Sequence, residues 1–339
     1  MTTRLSRRVF VGGAVAAAAP GAASLPTRVM GRTGMRPSIL ALGCGNRLWM
    51  AYKEESRGVE AVRLALDSGI TYLDTAQGYG DGVSESWVGA ACHDRRKQLI
   101  FATKTSARKA DDLLRRAEQS LKRLRTDHLD VLHIHGLKFD EDLAAIEAKG
   151  GALEALYKLR DQKVVRFIGI TSHADPATLA KALDRHDFDC TQMALNAGLQ
   201  GRSADGAGYW KKPGPGELEF FAQALPPKPY PGSSFQDVAL PVAVRKNLGI
   251  IAMKVTAQEG LIGDGSGKAE ANSLIRYALS LPVSVVTVGM PKLDFIRRNT
   301  ELARGFRPMK QSEMDALSNR LASANKVAID RRFADHEDA

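Results

Sequence analysis

Cysteine is scarce in this chain: Cys44, Cys92 and Cys190 are the only three in 339 residues, they lie far apart, and no two form a CxxC. That excludes a disulfide framework and a cysteine-only zinc site, and no metal is expected. All three read as buried small hydrophobes. Aromatics make up only 6% and no basic run is interleaved with them, so a formal charge of +10 is a weak case for nucleic acid, and none is expected as a partner. The charge is compatible with phosphate-bearing ligands or anionic surfaces. A long apolar run is missing too. The Gly/Ala-rich stretch from Gly12 to Ala23 falls short of the roughly 20 residues that cross a bilayer, so no stable membrane anchor is expected. What remains, 44% hydrophobic and 25% charged residues, is ordinary for a globular chain with a full core, built as one large domain or two.

The N-terminus carries the sharpest compositional signal. Ser6-Arg7-Arg8-Val9-Phe10-Val11 precedes the uncharged stretch, which closes on the small residues Gly21, Ala22 and Ala23. The pattern resembles a twin-arginine export signal. It implies that residues 1–23 are a signal peptide and 24–339 the functional domain, with the export machinery as a transient partner and the periplasm as destination. A membrane anchor and a disordered tail or misplaced start are the competing readings.

Further on, Arg28 to Met35 reads as a small hairpin with Gly31 and Gly34 as turn residues. Short β-branched and apolar runs follow at Ile39–Leu42, Ile70–Leu73, Leu99–Thr103, Val131–His135, Val164–Thr171, Thr191–Asn196, Gly249–Val255 and Val283–Val288. Helical spacing falls between them, at 58–68, 111–124, 153–159, 176–183, 241–246 and 271–281, and Ser312–Ala324 reads as a capped terminal helix. Eight βα units predict a closed (β/α)8 TIM barrel. The rival, an open doubly wound sheet, would place a Gly-rich fingerprint after the first strand. Gly43-Cys44-Gly45 begins one, but Leu48 holds the third glycine position and no helix start is read there. One segment breaks the rhythm: residues 197–240, rich in Gly and Pro, form a long loop after strand six. Such a loop is a lid or binding loop, or else disordered. Its Tyr209, Trp210, Phe220 and Phe221 line a pocket or form a small hydrophobic plug.

In such a barrel, chemistry gathers at the C-terminal strand tips. Asp74 ends strand two, Lys104 strand three and His135 strand four, while Tyr79 sits between Gly78 and Gly80 on the loop after strand two. Each residue has an ordinary reading alone: a strand-end cap, a solvated lysine, a satisfied core histidine, a turn tyrosine. Four polar groups converging from consecutive elements are harder to treat that way.

The residues LeuAspThrAla-x-x-TyrGly at 73–80, ThrLys at 103–104 and Asp130-x-x-x-x-His135 resemble the aldo-keto reductases, and the resemblance runs from about Arg28 to Asn299. It implies an NAD(P)H-dependent oxidoreductase on a small aldehyde or ketone, or the reverse on an alcohol. Tyr79 would be the general acid, Lys104 its pKa-lowering neighbour, Asp74 the partner of Lys104, and His135 the group that orients the carbonyl. Those roles make physical sense, because a free tyrosine titrates near about 10 and a neighbouring ammonium favours its phenolate. His133 shares a strand face with His135. The family usually has an apolar residue there, so His133 is read as structural.

The same resemblance assigns cofactor contacts. Thr171 and Ser172 stand where the family has the Ser-Asn pair that binds the nicotinamide carboxamide, and Gln192 matches its strand-six Gln. Met253 replaces the stacking Tyr, and Lys254 is placed to reach the pyrophosphate. Gly43 and Cys44 flank the first strand's end on the cofactor side. Asn299 matches the adenine-side Asn, while Phe295 replaces the usual Arg, leaving Lys292 or Arg298 for a 2′-phosphate. NADP is the expected cofactor and NAD the alternative. Two further readings stay open: a cofactor-binding regulatory module with little turnover, and a sugar dehydrogenase. Substrate choice is assigned to Arg47–Ala51, the 197–240 segment and the tail after Arg304.

Overall fold

The computed structural model describes residues 24–203, 232–334 and 336. The export-signal reading at 1–23 and the four aromatics at 209–221 lie outside the described residues. In chain order the elements are β1 (Leu40–Gly43), α1 (Asn46–Tyr52), α2 (Glu55–Asp67), β2 (Tyr72–Asp74), α3 (Val83–Cys92), β3 (Ile100–Thr105), α4 (Ala110–Leu124), β4 (Leu129–Ile134), α5 (Asp140–Glu147), α6 (Ala152–Asp161), β5 (Val165–Ser172), α7 (Pro176–Arg185), β6 (Cys190–Ala194), β7 (Gly201–Ser203), β8 (Gly232–Ser234), α8 (Ala239–Arg245), β9 (Gly249–Met253), α9 (Ala271–Ser280), β10 (Val285–Gly289), α10 (Leu293–Arg304) and α11 (Gln311–Ala334).

Eight of these strands, in the order β1-β2-β3-β4-β5-β6-β9-β10, close into a parallel barrel. Closure is made by the β1–β10 ladder, Leu40 opposite Val286 through Gly43 opposite Gly289. The strands are apolar on both faces because helices cover the outside and side chains fill the inside. A closed ladder excludes the open doubly wound sheet. One detail reverses the expectation made for that rival: a helix does begin just after Gly43-Cys44-Gly45, at Asn46, with Gly45 in extended conformation as its N-cap. Beta strands β7 and β8 form a separate antiparallel ribbon, Gly201 opposite Ser234, at the two ends of the long segment after β6.

The N-terminal hairpin is present as a tight turn. Its Thr27–Ser38 bridge and the Met30 N–H to Met35 carbonyl bond of 2.8 Å close a 3-10 turn at Gly31–Thr33. Met30, fully buried, plugs the barrel's lower end beside Gly249, where a Cβ would lie 2.6 Å from its Cγ.

Side chains alternate in and out along each strand, so the inward positions stack into layers of four drawn from alternate strands. Tyr72, Val131, Cys190 and Val285 pack together inside with Ala41, Ala102 and Ile251. Two residues further along each strand, the same alternation gives a layer of Asp74, His133, Gln192 and Thr287, all buried. Gly43, Lys104, Thr171 and Met253 complete the top. Between the two even-strand layers lie Ala41, Ala102, Gly169 and Ile251. Apolar branched residues thus give way to polar ones toward the C-terminal mouth.

Outside, helices dock through periodic apolar faces such as Leu113, Ala117 and Leu124 of α4. Asp175 caps α7, accepting from Ala177 N–H at 2.8 Å and Thr178 N–H at 3.3 Å, with Pro176 in the first turn. The terminal helix runs on past the expected end at Ala324 because no Gly or Pro stops it, and Lys326 and Asp330, one turn apart, pair at 2.7 Å while both buried. No helix among the described residues is long and apolar enough to cross a membrane.

Candidate active site

The loop after β2 is built to turn sharply. Gly80 and Gly82 adopt left-handed backbone at φ +61° and +91°, and a Cβ at Gly80 would lie 3.1 Å from the Trp49 ring, so neither position suits another residue. Ser84 ties the loop down, donating to the Cys44 carbonyl at 2.5 Å and bonding Thr75 Oγ1 at 2.7 Å. Tyr79 is thereby folded back over the barrel mouth, its ring 3.6 Å from the position of a Cβ at Gly45.

Beneath Tyr79 arrives Lys104 from β3, 1% exposed. Its ammonium faces Asp74 Oδ1 at 2.8 Å and donates to the Thr75 carbonyl at 2.8 Å and to Tyr79 Oη at 3.3 Å. The same nitrogen lies 4.9 Å from the Tyr79 ring centroid. Asp74 Oδ2 accepts from Gln192 Nε2 at 3.0 Å, reaching across from β6. His135 follows β4, its N–H bonded to the Thr105 carbonyl at 2.8 Å, and meets Tyr79 edge-on with ring centroids 5.7 Å apart and planes at 79°. Arg108 fixes that turn by donating to the carbonyls of His135 at 3.0 Å and Gly136 at 3.2 Å. The fold therefore brings Asp74, Tyr79, Lys104, His135 and Gln192 together, from three strands and two loops. An ammonium–carboxylate pair this deeply buried is costly to desolvate and depends on further hydrogen bonds; Thr75, Tyr79 and Gln192 supply them.

His133 lies inside the barrel rather than at its mouth, fully buried, opposite Lys104 and Gly169 in register. Burial, with Lys104 and then His135 adding to it, pushes its pKa well below the ordinary histidine value, so the ring is neutral. All three cysteines are buried and unpaired. Cys44 packs with the core between barrel and helices, its thiol pushed up mainly by burial and turned toward the Leu42 carbonyl at 3.6 Å.

The remaining cofactor candidates fall into two groups. At the mouth, Gly43 lies beside Gly289, close enough that a Cβ would stand 3.1 Å from the Gly289 nitrogen. Thr171 Oγ1 accepts from Gly136 N–H at 2.9 Å and Ser172 Oγ donates to the Leu137 carbonyl at 2.7 Å, so both hydroxyls brace the loop after β4. Met253 ends β9. Lys254, in left-handed backbone at φ +55°, holds its ammonium 5.4 Å from the Phe333 ring. Further out, Lys292 caps α10 with its Nζ 5.7 Å from the Phe295 ring centroid. Arg298 on that helix pairs with Asp294 at 2.8 Å, and Asn299 is buried beside it.

Three contributors escaped sequence reasoning. The Thr75 carbonyl has no side-chain signature. Trp49, which walls the Tyr79 loop, was signalled only by lying within Arg47–Ala51. Phe333 reaches His173 and Lys254 from the part of α11 that the sequence pattern did not include.

Residues 41–203 match the aldo/keto reductase family. Among known proteins, the chain is 37% identical over 155 residues to aldo-keto reductase YhdN of Bacillus subtilis, covering 41% of this chain and 45% of that protein. It is 33% identical over 155 residues to L-galactose dehydrogenase of Arabidopsis thaliana, covering 42% and 47%. The chain thus spans about half the length of the curated relatives it matches. The barrel superposes on the Bombyx mori aldo-keto reductase AKR2E4, solved in complex with NADP, with a TM-score of 0.64 over 89% of this chain and 94% of that one, at 16% identity. That likeness is one of fold.

Proposed function

We propose that this chain, a member of the aldo/keto reductase family by its residues 41–203, transfers a hydride between NADPH and a small aldehyde or ketone, with Tyr79 as the general acid. One observation carries the reading: a buried ammonium, Lys104, is fixed by Asp74 and Thr75 while it donates to Tyr79 Oη at 3.3 Å. Tyr79 gives its phenolic proton to the carbonyl oxygen, and Lys104 stabilises the phenolate left behind, because a fixed cation in a water-poor site needs no reorganisation as the charge develops. His135, edge-on to the Tyr79 ring, bounds the space in which the carbonyl oxygen must lie and orients it. Asp74, pinned by Gln192, keeps Lys104 aimed.

The residues present fit a nicotinamide cofactor. Gln192 Oε1 is a buried acceptor with no hydrogen-bond partner among the described residues, as an amide N–H donor requires, with Thr171 and Ser172 adjacent. Lys254, Lys292 and Arg298 offer cations toward phosphates, and Asn299 lies on the same helix. The cofactor, when bound, supplies the hydride, while the protein supplies position and field. Tyr79→Phe is expected to abolish most turnover while leaving NADPH binding close to wild type. Retained carbonyl reduction in that variant would sink the assignment. Titration with NADPH and NADH tests the cofactor, and tighter NADH binding would overturn the NADP reading.

The likeness to L-galactose dehydrogenase favours a second reading, a sugar dehydrogenase. Higher kcat/KM for sugars than for simple aldehydes in one substrate panel would select it. The Ser6–Ala23 stretch supports a periplasmic location reached with cofactor already bound, since twin-arginine export carries folded proteins. An uncleaved chain confined to the cytosol would count against export, and periplasmic protein free of nucleotide against carriage of the cofactor.

A further inference from the structure

The floor under the catalytic pair is unusual in what it leaves unpaired. Tyr72 Oη, both ring nitrogens of His133, and Thr287 Oγ1 are buried and find no hydrogen-bond partner among the described residues. These atoms come from β2, β4 and β10, on two levels of the barrel interior with one layer between them. Tyr72 rises from the layer below, and His133 and Thr287 share the layer of Asp74 and Gln192. Between the two levels the side chains are small: Ala41, Ala102 and Gly169 occupy three of four positions. The His133 ring takes part of the space that Gly169 leaves, since a Cβ there would collide with Nδ1.

Such atoms do not bond one another here, and buried polar groups in folded proteins are almost always satisfied by protein or by ordered water. A buried water needs two to four polar partners and a roomy polar site. Four unpartnered donor or acceptor atoms meet the first condition, and the small side chains of Ala41 and Ala102 between the levels favour the second. Asp74 supplies the link to the chemistry: its Oδ1 makes the ion pair with Lys104 at 2.8 Å but no well-aligned hydrogen bond.

We infer that this floor is a site for internal water, held by Tyr72, His133 and Thr287, and that His133 is a positioning residue that steadies the Asp74 carboxylate through that water. The role of His133 in turnover rests on the reductase reading; the water site does not. His133 touches no substrate and moves no proton to one. It acts by holding Asp74, and through Asp74 the aim of Lys104 at Tyr79.

Two measurements on the full chain test this. A high-resolution crystal structure is expected to show ordered water within hydrogen-bond distance of at least two of the three residues; a dry floor overturns the inference. In kinetics with a reactive aldehyde and NADPH, His133→Leu is expected to lower kcat about tenfold, the scale of a small misplacement, with KM little changed. His133→Gln, which keeps polar atoms facing the floor, is expected to recover most of the loss. A wild-type kcat in His133→Leu, or no recovery in His133→Gln, overturns the positioning role. Should His133→Leu fail to fold, Thr287→Val carries the same expectation. If wild type reduces no carbonyl, the reductase reading falls, and the crystallographic waters alone decide the site.

Discussion

A neutral imidazole locked inside a barrel makes stability depend on acid, and His133 allows the size to be worked out. Its pKa is pushed well below the usual value by burial first, then by Lys104 and His135. The other titratable groups around it are Asp74 in the same layer and Tyr72 and Cys190 below. Asp74 is already engaged by Lys104 and Gln192, so it does not rescue a second cation. In the unfolded chain the same side chain titrates near about 6.5. Below that pH the unfolded state binds a proton that the folded state refuses, so stability is full above it and is lost as pH falls. At pH 5 the loss is at most about 2 kcal/mol, the ceiling set by the unfolded value, and at pH 7 a few tenths at most.

His133→Leu removes this term whatever it does to packing. Urea unfolding of both proteins at pH 7, 6 and 5 is therefore expected to give stabilities whose difference shifts in favour of the Leu variant on acidification, by up to about 2 kcal/mol. Contributions from the five histidines that do not act on His133 cancel in the comparison. Parallel pH dependences would refute the reasoning, since they would mean that His133 takes up its proton in the folded state as readily as in the unfolded one.

Three further outcomes follow from burial and geometry. Lys104→Met leaves Asp74 buried without its cation and is expected to cost about 3–5 kcal/mol in urea unfolding, along with most carbonyl reduction. Asp330→Ala strands Lys326, which also donates to the carbonyls of Leu199 at 2.8 Å and Ser233 at 3.1 Å, and removes the acceptor for Gly201 N–H at 2.7 Å; a loss of about 3–5 kcal/mol is expected by the same assay. Gly169→Ala places a methyl against the His133 ring and 2.7 Å from the Cys190 carbonyl, an overpacking expected to lower stability by about 1–3 kcal/mol.

The barrel was legible because its signal repeats. Eight apolar runs separated by helical spacing leave few architectures, and Asp74, Lys104 and His135 could be placed at strand ends from the runs alone. Local signals failed where the cause was not local. Helix α1 has one buried residue, Leu48, so it lacks the apolar stripe that announces a helix. Helix α11 runs through charged residues because Lys326 and Asp330 find backbone partners on the β7–β8 ribbon, which no window of sequence reveals. The hydroxyls of Thr171 and Ser172 look free in the sequence, yet both brace the β4 loop. The His133–Gly169 fit depends on the register between β4 and β5, a relation written in neither strand by itself.

The engagement of Lys104 ties the floor to the site. Its ammonium donates to the Thr75 carbonyl and to Tyr79 Oη and is ion-paired with Asp74. It makes no hydrogen bond to His133, although the two residues are register partners. A direct hydrogen bond from Lys104 to His133 would compete with those partners, and losing Tyr79 would disconnect the cation from the acid it supports. The imidazole therefore cannot share the charge of Lys104 without harm. A neutral ring serves the pair better than a charged one, since a second cation beside Lys104 would compete for Asp74 and loosen the grip that aims Lys104. Burial keeps His133 neutral and thereby keeps Asp74 committed to one partner. The acid sensitivity of the fold and the fixed direction of Lys104 are in this way two consequences of the same polar layer.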